Sequence, residues 1–363
     1  MKRLEKKHTQ SLYGCAILMM LFHHLFSVPE RINGIFFETY SNNHSLFIAL
    51  AWSCKLCVAI YSFLSGYGMI KTSCLNNKIE KYNIMDEYKT SIKRYFRFMK
   101  KYWIVFTIFY LLGLAINKVE VMSFDELVRC LLGVSDYINR EWWYVKQYII
   151  FLIFFPVLEL FIFDLKKKKY GQILFCAISI CCAILLYISF TSFGNAIILV
   201  RNILGSPVYW IIFLCGTVCA AGRFFERLSC YLPKNNYFNY LIGIGFIIIV
   251  FSIRIILSTD ADYNDIDIFL ILPLICGLIL IINSNHYIEK ILCQLGKHST
   301  YIWLTHTFYC YYYFGSIFKE MHSKIIQFAT LLIVSYVTAI LLLEVQKKIE
   351  LCFIYATKWR KSK

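Results

Sequence analysis

The sequence predicts an all-α membrane protein, a polytopic bundle of about ten transmembrane helices forming one domain over residues 1–363, with both termini cytoplasmic. Three observations predict it. Apolar residues make up 59% of the chain and charged residues 17%, against about 45–50% and about 25% in a soluble domain. The charges are gathered between long apolar runs. The basic residues also favour alternate gaps between those runs.

In chain order, the runs are 11–28, 46–70, 102–117, 143–163, 171–190, 207–222, 238–258, 266–283, 299–316 and 325–345. The first follows a basic tail and mimics a secretory leader. It is too long for a leader's apolar core, holds two histidines and lacks a small-residue cleavage site, so it reads as a retained first span. In a bilayer each run must be helical, because backbone N–H and C=O groups find no water to bond. The runs 102–117 and 207–222 are short for a span. Amphipathic stretches at 88–101 and 124–133 are expected on the inner and outer surfaces.

With the N-terminus placed inside, 28 of the 38 Lys and Arg residues fall in inner segments and 7 in outer ones. That is the bias of the positive-inside rule. Asp260, Asp262, Asp265 and Asp267 gather in one outer loop and read as a solvated acidic segment. The net charge of +16 therefore follows membrane topology, and a nucleic-acid partner is excluded. Most of the 15 cysteines lie inside apolar runs, where cysteine behaves as a small hydrophobe. The one C-x-x-C pattern, Cys54-Lys55-Leu56-Cys57, lies within the second apolar run, so neither a disulfide framework nor a metal site is expected. It has no P-loop, dinucleotide fingerprint, H-E-x-x-H or nucleophile elbow.

Ionisable groups at membrane depth are costly and point to function. His23 and His24 lie in the first run. Neighbours on a helix point about 100° apart, so one is expected to face the bundle interior and the other an adjacent helix. Histidine suits general-base work because it titrates near neutrality. Lys55 in the second run and His306 in the ninth are further candidates, each weighed against snorkelling or a structural hydrogen bond. Arg94 and Arg97 are three apart and share a helical face. They suit either phosphate binding or anchoring on anionic lipid. Arg254, Glu159 and Glu344 lie near run ends and read as interface anchors.

Five segments in order resemble the membrane-bound acyltransferase 3 family, which O-acylates bacterial surface polysaccharides and sugars. They are residues 11–24, ending Leu21-Phe22-His23-His24; residues 58–67, with Ser65-Gly66-Tyr67; Arg94-x-x-Arg97; Glu141-Trp142-Trp143-Tyr144 through Pro156; and residues 295–306, ending Leu304-Thr305-His306. The chain departs from the family pattern at Tyr13, where the family carries an arginine eleven positions before its histidine.

The resemblance implies an O-acyltransferase of the bacterial plasma membrane. It would move an acyl group, expected to be acetyl, from cytoplasmic acyl-CoA to a hydroxyl of a capsular, exopolysaccharide or lipid-linked glycan. No bound cofactor is implied. Acetyl-CoA is the donor substrate, and the partners are acyl-CoA, the glycan acceptor and membrane lipid. On this reading His24, with His23 second, is catalytic, and Arg94 and Arg97 hold the donor phosphates. Lys55, Ser65, Trp142, Trp143, Tyr144 and His306 bind substrate or support the site. The alternative is a transporter or flippase of lipid-linked glycans, which would be expected to line a midplane path with several charges. A polysaccharide polymerase would be expected to carry a large outer loop with arginine motifs, and the sequence has none.

Overall fold

A computed structural model of the chain describes residues 4–28, 46–73, 84–166, 205–233, 235–257 and 265–361. Among these residues every regular element is helical. The order is α1 (Lys6–Phe26), α2 (Leu46–Ser53), α3 (Leu56–Lys71), α4 (Ile84–Ala115), α5 (Phe124–Leu131), α6 (Trp143–Lys166), α7 (Pro207–Ala221), α8 (Phe224–Leu228), α9 (Asn236–Leu257), α10 (Asp267–Ser284), α11 (His286–Thr307), α12 (Gly315–Glu320) and α13 (Lys324–Lys361). A short 3-10 turn, Arg140–Trp142, leads into α6, and a π-helical turn, Phe308–Tyr312, follows α11.

Among the described residues, six stretches are long and apolar enough to cross a membrane: Leu46–Lys71, Ile84–Ala115, Arg140–Ile162, Asn236–Leu257, Asp267–Ser284 and Lys324–Cys352. α7 is apolar but shorter. The expected span 171–190 lies outside the described residues, as do Asp260 and Asp262. The helices α1 and α11 form where runs were expected but carry Lys, His, Gln and Glu along their lengths. Side chains exposed on the bundle are largely apolar, among them Ile153 and Val157 of α6, Ile248 and Ile249 of α9, and Ile333 and Leu341 of α13. A bilayer solvates such faces, whereas a soluble monomer rarely shows them.

Three expectations change. The run 46–70 is two helices, because Lys55, Cys57 and Val58 bond three residues back, to Trp52, Cys54 and Lys55, and tighten the chain at Lys55. The stretch 88–101 is not a separate surface helix. It is continuous with the third run as α4, since no Pro and no Gly before Gly113 interrupts it. Asp267 and Arg254 are neither a loop residue nor an interface anchor. They are 1% and 2% exposed and form a 2.7 Å ion pair that joins α10 to α9. Glu159 is likewise buried rather than at an interface, whereas Glu344 is exposed and pairs with Lys347 at 2.6 Å.

The elements that carry the site cross at glycines. A Cβ on Gly14 of α1 would strike the Leu292 carbonyl, and one on Gly296 of α11 would strike the Gln10 carbonyl. The α3–α7 crossing repeats the device, with Gly66 against the Phe213 carbonyl and Gly216 against that of Phe63. Small residues let membrane helices approach at backbone contact. The helices α1 and α11 therefore run side by side in the same direction, tied at one end by Lys7 and Glu289, 3.1 Å apart, and meeting at the other through His24 and His306.

Candidate active site

A cavity opens where the C-terminal ends of α1 and α11 meet the break before α3 and the start of α6. His23 and His24, Lys55, Glu141, Trp143, Tyr144 and Trp303 line it. It measures about 50 Å³, enough for a few waters or an acetyl-sized group but not for a sugar ring. Both histidines line it, and His23 also faces an adjacent helix, the place expected for one of the two. The helix end is wide enough for their rings to sit edge to face, 5.1 Å apart.

The two histidines are held differently. His23 donates from Nδ1 to the Ala51 carbonyl of α2 at 2.9 Å and packs edge-on to Trp52. Its ring is thereby braced against the neighbouring helix. His24 places Nε2 4.0 Å from Glu141 Oε2. Its ring lies 5.0 Å from that of His306 and 5.9 Å from that of Tyr311, whose hydroxyl donates to the His24 carbonyl.

Glu141 was not singled out in the sequence, and its position depends on distant residues. Asn139 caps the 3-10 turn by accepting from the Glu141 N–H at 3.1 Å, and it donates to Thr307 Oγ1 at 2.7 Å. Trp142 donates from Nε1 to the Leu304 carbonyl at 3.1 Å. The Arg140 N–H donates to the Tyr312 hydroxyl at 3.0 Å. The start of α6 is thus bolted to α11 and its π-helical turn, and π turns often mark functional sites. Trp142 is 2% exposed and serves this joint. It does not face the cavity as a stacking surface, unlike Trp143 and Tyr144.

Lys55 reaches the cavity from the tightened turn between α2 and α3. The buried Asp267 lies within its electrostatic reach. Ser65 donates to the Tyr61 carbonyl of its own helix at 2.8 Å. Ser62, one turn earlier, shares a 3.0 Å hydrogen bond with the Tyr144 hydroxyl. Tyr13, at the position of the missing arginine, packs its ring 5.3 Å from Tyr61.

An aromatic wall continues from the cavity toward the arginines. Trp303 contacts Tyr61 at 6.3 Å, Tyr144 at 6.0 Å and Phe98 at 6.1 Å, and Phe98 packs 5.2 Å from Tyr148. Arg94 lies one helical turn from Phe98, about 6 Å along α4. The expected pairing of Arg94 with Arg97 is not what the structure presents. Arg94 turns inward, donating to Glu87 at 2.7 Å, to the Met69 carbonyl at 3.2 Å and to Thr72 at 3.1 Å, with its guanidinium over the Phe155 ring. Arg97 is exposed. The three-residue spacing placed both on one side of α4 but did not show that a buried carboxylate takes up one of them.

The family model of an acyltransferase domain, that of the acyltransferase 3 family, matches residues 12–344. No curated protein and no solved structure matches the chain.

Proposed function

Because the chain belongs to the acyltransferase 3 family and is a multi-pass membrane acyltransferase, we propose that it moves an acetyl group from cytoplasmic acetyl-CoA to a hydroxyl of a cell-surface polysaccharide or its lipid-linked precursor. The membrane is then the bacterial plasma membrane. The charge pattern supports about ten spans with both termini inside.

The single observation that carries the reading is His24 facing Glu141 across a cavity that also holds Lys55. A histidine beside a carboxylate is a general base whose charged form is stabilised as it forms. The acceptor oxygen attacks the thioester carbonyl while its proton passes to His24. Glu141 stabilises the resulting imidazolium, and the Lys55 ammonium faces the oxyanion of the tetrahedral intermediate. Collapse breaks the carbon–sulfur bond, and the departing thiolate takes the proton from His24. The products are an acetyl ester and free CoA.

The present cavity admits the acetyl group, so the acceptor sugar enters from beyond Trp143 and Tyr144, whose rings offer it a stacking face. On the donor side Arg97 meets the phosphates. Arg94, paired with Glu87 of the same helix, ties α4 to the end of α3 through the Met69 carbonyl and Thr72.

The test is transfer of label from [acetyl-14C]CoA to a glycan acceptor by protein reconstituted in lipid. Wild type is expected to label the glycan, His24→Gln to lose labelling, and Arg97→Ala to raise KM for acetyl-CoA with kcat kept. Movement of lipid-linked glycan across the bilayer with no acetyl transfer would instead make the chain a transporter.

A further inference from the structure

His306 is fully buried, and its two ring nitrogens are treated unequally. Nδ1 lies 2.8 Å from the Trp303 carbonyl and 3.1 Å from the Ile302 carbonyl, both on its own helix. Carbonyl oxygens only accept, so Nδ1 carries the hydrogen. Nε2 is then a bare lone pair on the far edge of the ring, turned away from α11. It is buried and meets no hydrogen-bond partner among the described residues. A buried acceptor left unpaired costs about 1–3 kcal/mol, so its position calls for a donor.

Donors that bond its neighbours on α11 and the His24 backbone have acceptors of their own. Trp142 Nε1 is on the Leu304 carbonyl, Asn139 Nδ2 is on Thr307, and the Tyr311 hydroxyl is on the His24 carbonyl. The ring of His24, which carries an N–H in either neutral tautomer, lies 5.0 Å away centre to centre.

We propose that His306 is a positioning residue that accepts a ring N–H of His24 and so fixes which His24 nitrogen stays bare toward the cavity. The α-helical frame makes this possible. The Gly14–Gly296 crossing holds α1 and α11 at backbone contact, and the carbonyls of Ile302 and Trp303 pin the His306 proton to Nδ1. A neutral imidazole can donate from either nitrogen. The His24 proton can sit on either nitrogen, and one of the two tautomers is a base toward the cavity. With His306 as a fixed acceptor, the base is preformed. The same bond persists when His24 becomes an imidazolium, because both ring nitrogens then donate.

The chemical value of this arrangement rests on the proposed acyl transfer, but the tautomer can be read without turnover. The full chain is labelled with 15N-histidine, placed in lipid and examined by solid-state NMR, with His24 assigned by difference against His24→Gln. Wild type is expected to show His24 as a single tautomer with one protonated and one bare nitrogen. His306→Leu is expected to show exchange between tautomers. His306→Gln, whose amide oxygen can accept, is expected to restore one. In the transfer assay His306→Leu is expected to lower kcat about tenfold, the worth of one hydrogen bond, with KM for acetyl-CoA unchanged and kcat recovered in His306→Gln. A single His24 tautomer that survives in His306→Leu would overturn the proposal, as would a protonated His306 Nε2 in the wild type. If no protein transfers acetyl yet the tautomer responds to these substitutions, the proposed function fails and the positioning role stands.

Discussion

At the cavity, His24 and Glu141 stand 4.0 Å apart, and each is held by other groups: Glu141 by the Asn139 cap and its bolt to α11, His24 by the glycine crossing and Tyr311. One aromatic stack away, Arg94 and Glu87 are 2.7 Å apart, and Arg94 spends its remaining contacts on Met69 and Thr72. The first pair is near but beyond hydrogen-bond distance, and both groups line the cavity. The second is closed on itself. The difference separates two uses of charge in an apolar bundle. A closed pair leaves little to spend on a ligand, while an open pair supported from behind keeps its capacity for a proton and a transition state.

The largest effect expected from breaking this contrast is at the open pair. His24→Gln is predicted to lower kcat by about 10²–10⁴-fold, the usual worth of a general base, with the thermal unfolding midpoint in detergent unchanged. An equal fall in that midpoint would make His24 structural. At the closed pair the order reverses. Arg94→Ala takes the guanidinium from the buried Glu87 carboxylate and is predicted to destabilise the protein by about 3–5 kcal/mol in chemical unfolding. If the unfolding curve holds and only donor KM rises, Arg94 is a phosphate ligand after all. Between them lies the frame: Gly14→Leu drives a side chain into the Leu292 carbonyl. It is predicted to destabilise the protein by about 1–3 kcal/mol through overpacking. Transfer is predicted to fall with it, because α1 carries His24. The smallest effect is at the exposed Lys347–Glu344 pair, where Lys347→Ala is predicted to change stability by less than about 1 kcal/mol.

The helices with long apolar runs were legible in the sequence because a bilayer demands them. So was the place of His24, Lys55 and His306, because ionisable groups in such runs stand out. What remained hidden depends on contacts between distant segments. Glu141 reads as one acid beside three aromatics until Asn139 and Trp142 are seen fastened to α11. Trp142 looked like a sugar platform for the same reason. The spacing of Arg94 and Arg97 shows a shared face but not that the Met69 carbonyl and Thr72, at the end of α3, take up one of them. Asp267 sat in an acidic loop by composition, and only the packing of α9 on α10 turns it toward Arg254. The break at Lys55 leaves no Pro or Gly to announce it, since it comes from three-residue hydrogen bonds within an apolar run.

The most direct test of the account is whether His24 and Glu141 act as one unit. Acetyl transfer is measured for His24→Gln, Glu141→Gln and the double substitution, with acetyl-CoA and acceptor saturating. The account predicts that Glu141→Gln alone lowers kcat, and that adding it to His24→Gln costs almost nothing more, because a carboxylate has no imidazolium left to stabilise. Losses that multiply in the double substitution would contradict it and place the two residues in separate roles.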